Sequence, residues 1–315
     1  MRRIKKRYII IPLVLASLTA LCIIRWHAWF GLPPEPEWDG PTRDYVFPRF
    51  EQDQTPEHLD FLVLGDIHNR LTQQDYDLLA QRVPQADAIL QTGDWLERGQ
   101  DYYYQSLLKE WWPSLLYDMP VIAAPGNHEY SKGIIKSCSE VWEYAFPVGD
   151  NGPKGVPGHT YYVDYPQLRL IVMDTNPYWR IMHYTRTLTW LHKTMDEADG
   201  RYVVVLMHHP VLSAAKGRFN LFLYLAFRHV LGEADLVLAG HDHSYMRKGS
   251  FVVMNTGGKP KEQKTDSVDA KTMSPIYGVL SVQLSAFKGQ QLPLEFRIYR
   301  LNDGQMIDSL YVSHD

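Results

Sequence analysis

The stretch HLDFLVLGDIH, residues 58–68, decides the fold. A short apolar run stops at Gly65 and is followed at once by Asp66 and His68, two metal-ligating residue types. Four later stretches repeat the design. ADAILQTGD (86–94) ends in Asp94, and MPVIAAPGNHE (119–129) delivers Asn127 and His128. YVVVLMHHP (202–210) runs into His208 and His209, and ADLVLAGHDH (234–243) into His241 and His243. Short apolar runs bounded by Gly or Pro read as strands of an α/β sheet buried on both faces. Open α/β sheets bind their ligands in the crevice at the carboxyl ends of such strands. Five strand ends bearing His, Asp and Asn therefore build one shared cation site.

Helical patterns follow the strands, at about 73–82, 101–116, 135–144, 187–197 and 219–231. Alternation of this kind indicates a largely parallel sheet with right-handed crossovers. Other segments read as a second sheet: HTYYVDYPQLRLIVMD (159–174), then FVVMNTGG (251–258), YGVLSVQLSAF (277–287) and LEFRIYRLNDGQMIDSLYVS (294–313), with a turn at 302–304. The expected fold is α/β, a four-layer α/β/β/α sandwich of two mixed sheets packed face to face. Residues 259–271 are charged and lack periodicity, which suits a mobile surface loop. There is no internal repeat.

The 315 residues suffice for one large domain or two small ones, and 45% apolar with 22% charged content is ordinary for a globular chain. The start is different. Arg2, Arg3, Lys5, Lys6 and Arg7 precede an uncharged apolar run over residues 8–24. As a helix this run spans roughly 26 Å, the short end of a membrane crossing. A cleaved signal peptide shares these features, but no small-x-small cleavage site follows Ala20, and Leu21 before Cys22 makes a poor lipoprotein site. Trp26, Trp29 and Phe30 suit an interfacial aromatic belt. The expected organisation is a cytoplasmic basic start and transmembrane anchor over 1–30, a Pro-rich spacer over 31–57, and a globular domain bearing the cation site over 58–315. The basic flank places the N-terminus in the cytoplasm and the domain outside it.

Residues 1–30 hold six basic and no acidic residues, so the remainder carries 32 − 6 = 26 Lys and Arg against 36 Asp and Glu, a net charge of −10. That balance argues against a nucleic-acid-binding face. Cys22 and Cys138 are the only cysteines and Cys22 lies in the anchor, so the domain holds no internal disulfide.

The ordered set GD-I-H, GD, GNHE, HHP and GHDH resembles the five motifs of the calcineurin-like metallophosphoesterases, over about 59–246. The resemblance implies one metal held by Asp66, His68, Asp94 and His243. A second is held by Asp94, Asn127, His208 and His241, with Asp94 bridging. It implies two divalent ions, Mn, Fe or Zn, and the mixed imidazole–carboxylate donors, free of thiolate, suit such borderline metals. His209 is the alternative to His208 as ligand. His128 would sit near the leaving oxygen and protonate it. The glycine before each ligand is expected to let the backbone turn tightly. Purple acid phosphatases carry a Tyr where Glu97 stands and lack the His of the first motif, here His68, so a phenolate–iron centre is not expected.

Substrate contacts are the least legible part. Arg180, His183, Arg186 and Arg218 lie in segments after strands and are candidates for meeting a phosphate, against the simpler reading of solvated surface charge. Asp174 also ends a strand, but no motif maps there, and it reads as structural. Tyr130 and Tyr245 adjoin motifs and suit packing equally. The expected activity is hydrolysis of phosphate mono- or diesters, the substrate being either a membrane-associated lipid phosphate or pyrophosphate or a soluble phosphoester on which an anchored enzyme acts. A non-catalytic scaffold on the same fold and a nuclease are the rival classes.

Overall fold

A computed structural model describes residues 57–97, 119–130, 138, 142, 146, 149–156, 159–176, 181–213, 221–261, 269–284 and 292–314. The expected anchor at 1–30, most of the spacer, the expected helix at 101–116, and Arg180 and Arg218 lie outside them. Among the described residues no helix is long and apolar enough to cross a membrane.

Two mixed sheets face each other across one core. The first joins β1 (His58–Leu64), β2 (Ala88–Gln91) and β3 (Val121–Ala123) to β11 (Ile276–Gln283), β12 (Leu294–Arg300) and β13 (Met306–Val312), in the order β13-β12-β11-β1-β2-β3. The second contains β4 (Tyr161–Asp164), β5 (Leu168–Met173), β6 (Tyr202–Met207), β7 (Leu236–Ala239), β8 (Tyr245–Lys248), β9 (Phe251–Val253) and β10 (Ala270–Thr272), in the order β10-β8-β9-β7-β6-β5-β4. Three helices are described: α1 (Gln73–Arg82), α2 (Ile181–Asp196) and α3 (Leu221–Leu231).

The alternation of each strand sorts its side chains. Leu59, Phe61 and Val63 of β1 meet Leu170 and Val172 of β5 and Val204 and Leu206 of β6 in the core between the sheets. The intervening Ile171, Met173, Val203 and Val205 pack instead against Leu191 of α2 and Leu223 and Phe227 of α3. Strands covered on both faces need continuous apolar runs, which is why β5 and β6 are buried throughout. Fully burying one such side chain contributes roughly 1.5–3 kcal/mol. Helix α1 is opened by a reciprocal cap in which Thr72 Oγ1 accepts from Asp75 N while the Asp75 carboxylate accepts from Thr72 N. Such a cap stabilises a helix by about 1 kcal/mol.

The division into sheets differs from the one expected. The hairpin β4–β5 and strands β8 and β9 join the parallel strands β6 and β7, whereas the C-terminal β11–β13 extend the sheet of β1–β3 through the antiparallel pair β1–β11. Apolar periodicity marks each strand but carries no information about its partner hundreds of residues away. Of the expected loop at 259–271, residues 262–268 lie outside the described residues, while Ala270–Thr272 forms an edge strand on β8. In the expected helix at 135–144, Cys138 instead forms an isolated bridge with Tyr130, and Trp142 is helical.

Candidate metal centre

The residues after β1 and β2 come from the first sheet, and those after β6 and β7 from the second. The strand ladder continues into these loops: Asp66 N donates to Gly93 O (3.1 Å), His68 N to Asp94 O (3.1 Å), and Gly240 N to His208 O (2.9 Å). Five of the ligand candidates adopt left-handed backbone: Asp66 (φ 48°), His68 (53°), Asp94 (55°), His241 (72°) and His243 (52°). Non-glycine residues held in this region cost of order 1–3 kcal/mol each and cluster at functional sites. This corrects the expected role of the glycines. Gly93 does take a positive φ of 94°, but Gly126 serves by having no side chain, since a Cβ there would lie 2.2 Å from Asp94 Oδ1. The tight turns are made mostly by the ligands themselves.

Two clusters of donor atoms result. Asp66, His68, Asp94 and His243, all buried, place one ligand atom each within 4.8 Å of one another. His68 Nε2 lies 3.0 Å from His243 Nε2 and 3.7 Å from both Asp66 Oδ1 and Asp94 Oδ2. The second cluster joins His208, His209 and His241. His208 Nε2 is 3.3 Å from Asp94 Oδ2, 3.2 Å from Asn127 Oδ1 and 3.2 Å from His241 Nδ1. Asp94 Oδ2 thus faces an imidazole from each cluster.

The two neighbouring histidines both belong to this cluster but differ in their contacts. His208 faces Asp94, Asn127 and His241, while His209 is tied through Nδ1 to Thr175 Oγ1 (2.9 Å) and packs its ring against His241. The far nitrogens of two ligand candidates have backbone acceptors, His208 Nδ1 at Thr92 O (2.9 Å) and His243 Nδ1 at Lys259 O (3.1 Å). Such outer bonds fix the tautomer that turns Nε2 inward.

The residues present fit divalent cations. Asp66 Oδ1 and Oδ2 and Asp94 Oδ2 are buried without a hydrogen bond. Buried ionised carboxylates persist only when paired or coordinated to metal. Burial disfavours the charged form of Asp94, but the facing His208, His128 and His68 outweigh it and hold the carboxyl well below the usual carboxylate range. Burial pulls the His208 pKa down, yet the charge of the facing Asp94 carboxylate outweighs it, and the group is pushed up to about 9. His68 is raised in the same way: burial opposes its charge, but Asp66 and Asp94 prevail.

His128 stands beside the clusters, partly exposed. Its backbone N donates to Asp94 Oδ1 (2.8 Å), its Nδ1 pairs with the Glu97 carbonyl, and its Nε2 points inward, 3.9 Å from Asp94 Oδ2. A residue that motif spacing gave no role holds this arrangement in place. The buried Glu129 carboxylate accepts from Asp94 N (2.8 Å), Trp95 N (3.0 Å) and Gly126 N (2.6 Å). It ties the second ligand loop to the third. The available signal was its place in the third motif, a carboxylate directly after Asn127 and His128. Its full burial then demands partners, since carboxylates are almost never fully buried unless paired. Of the candidate substrate residues, His183 is half-buried in the first turn of α2, and Arg186 is exposed and donates to Gly155 O (3.2 Å).

Two facing mixed sheets with a shared imidazole–carboxylate cluster at their strand ends define the class of metal-dependent phosphoesterases. The calcineurin-like phosphoesterase family model matches residues 59–245, and the chain belongs to that family. A search of curated proteins finds no match to this sequence. Solved structures of the same fold include a purple acid phosphatase from yellow lupin (TM-score 0.64, 16% identity), covering 83% of this chain and 55% of that one. GAP50, the anchor in the inner membrane complex of Plasmodium, is similar at TM-score 0.60 and 13% identity over 82% and 90% of the two chains. A dimetal phosphatase from Danio rerio is similar at TM-score 0.53 and 14% identity over 82% and 99%. The protein is therefore a phosphoesterase with a candidate metal site, of a family that is typically dimetal-dependent.

Proposed function

We propose that the chain is a membrane-anchored hydrolase of phosphate esters working at a dinuclear centre of Mn, Fe or Zn. Asp66, His68, Asp94 and His243 would hold one ion, and Asp94, Asn127, His208 and His241 the other. The observation that carries the reading is Asp94 Oδ2, buried without a hydrogen bond and facing both His68 and His208. Two ions bound there would polarise the phosphoryl oxygens and lower the pKa of the attacking water. The chain's own residues do the rest. Glu129 holds the Asp94 backbone, and Thr92 and Lys259 carbonyls aim His208 and His243. His128, anchored through Nδ1, presents Nε2 to protonate the leaving oxygen.

The basic start and apolar run at 8–24 support an anchor with the domain outside the cytoplasm. Tethering raises the effective concentration of enzyme at a membrane-bound substrate, which favours a lipid phosphate or pyrophosphate, with Arg180, His183 and Arg218 as candidate headgroup contacts. The test is turnover by the full-length protein and by residues 35–315, loaded in turn with Mn²⁺, Fe²⁺ and Zn²⁺, on mono-, di- and pyrophosphate esters in soluble and lipid form. Soluble esters turning over far faster in both forms would remove the lipid substrate. Full protection of the domain from protease added to spheroplasts would overturn the topology.

A further inference from the structure

Asn127 and His128 emerge from β3 in the first sheet, yet Asn127 Oδ1 meets His208, which emerges from β6 in the second. Something must hold the intervening loop against the second sheet. The contacts that do so converge on Asp174, at the end of β5. Asp174 Oδ2 accepts from the Tyr130 hydroxyl and lies 3.5 Å from His159 Nδ1. Its Oδ1 accepts from Asn176 N (2.9 Å) and Asn176 Nδ2 (3.0 Å), and Asn176 Nδ2 also donates to Pro125 O (2.8 Å). Asp174 N in turn donates to Thr160 Oγ1 (3.1 Å), next to β4. Asp174, Asn176, Tyr130 and His159 are all buried, with Trp142 set edge-on against the His159 ring at 5.5 Å.

We propose that Asp174, acting through Tyr130 and Asn176, is the positioning residue that straps the Pro125–Tyr130 loop to the second sheet and so sets Asn127 and His128 in register with His208. The strap grips the loop at both ends, Pro125 and Tyr130, and leaves the two functional residues between. On the other side the same loop is held to the first sheet, where the Glu129 carboxylate accepts from Asp94 N and Trp95 N, and Asp94 Oδ1 accepts from His128 N. Releasing the Asp174 side therefore frees the loop toward the first sheet and draws Asn127 away from His208. The first cluster, Asp66, His68, Asp94 and His243, takes no residue from the loop and stays intact.

The inference rests on the assignment of Asn127 as ligand and His128 as acid. The full-length protein is titrated with Mn²⁺ by electron paramagnetic resonance, and kcat and KM are measured with esters of poor and good leaving groups. Tyr130→Phe removes one hydroxyl and keeps the ring. The expected result is one Mn²⁺ binding step unchanged and the other weakened about 10–100-fold, the range for loss of a ligand's outer partner. With the poor leaving group kcat falls about 10-fold while KM stays within about 2-fold, and p-nitrophenyl esters lose less. Asp174→Asn keeps one carbonyl oxygen for Asn176 and turns its NH₂ onto the Tyr130 oxygen, whose hydroxyl can donate to His159 Nδ1. Both links survive with one reversed, so most of both quantities should be retained, which also covers a poorly folding Tyr130→Phe. Wild-type binding steps and kcat in Tyr130→Phe, even with a lowered Tm, would overturn the proposal. So would Asp174→Asn with a second step as weak as in Tyr130→Phe. A wild-type protein that binds one Mn²⁺ or turns over no ester would instead refute the dinuclear reading on which the proposal stands.

Discussion

Glu129→Gln tests whether the metal loops are held by a single buried carboxylate. In the native site Glu129 Oε2 accepts from two backbone amides, Asp94 N and Gly126 N, and Oε1 accepts from Trp95 N. The best glutamine orientation keeps its carbonyl at the Oε2 position and turns the amide NH₂ onto the Trp95 N–H. That leaves one buried donor unsatisfied, about 1–3 kcal/mol, and replaces two charge-assisted bonds by neutral ones, about 1 kcal/mol each. The sum is about 3–5 kcal/mol, a large share of the 5–15 kcal/mol that domains typically have. At roughly 2–4 °C per kcal/mol, Tm should fall by about 10 °C. Because Asp94 N is one of the two amides whose bond weakens, metal affinity should fall with stability, by about 10–100-fold. Thermal unfolding of the metal-free protein and chelator competition measure the two effects. A Tm within about 2 °C of wild type together with native metal affinity would refute the reasoning, because an uncompensated buried donor cannot be that cheap.

Asp94→Ala should abolish metal binding at both sites and activity with it, since its Oδ2 faces both clusters; elemental analysis retaining two ions per chain would contradict this. His128→Ala should lower kcat by at least about 10²-fold with poor leaving groups while leaving metal content near native, since general acid catalysis contributes about 10²–10⁴-fold. Unchanged turnover would remove His128 from the reaction. The metal-free protein should be pH-sensitive in two directions. The His208 pKa is raised to about 9, so its stabilising contribution is complete below its ordinary value near 6.5 and is lost as pH rises through 9. The Asp94 pKa is depressed, so its contribution is present above the ordinary carboxylate range and lost as pH falls. Urea midpoints of chelator-treated protein should therefore peak in mildly acidic solution, and a flat profile between about pH 6 and 10 would contradict the His208–Asp94 pairing.

The ligand candidates and the strands that carry them could be read from the chain. Apolar runs ending in Gly-Asp, Gly-Asn-His or Gly-His mark strand ends wherever they occur, because burial on both faces demands continuous apolarity and the ligands must leave the sheet at its edge. The helices near 73–82, 187–197 and 219–231 were equally legible, with α2 starting several residues earlier than its apolar period suggested. The tertiary structure alone decided which strands share a sheet. The C-terminal strands and the β4–β5 hairpin have the same alternation, yet β11 pairs with β1 and β5 pairs with β6. It also decided which imidazole nitrogen turns inward, since that depends on carbonyls as remote in sequence as Thr92 is from His208. Glu129 and Asp174 gained their roles in the same way. Each satisfies backbone or side-chain donors of loops from another strand, and a hydrogen bond between distant segments leaves no periodicity in either one.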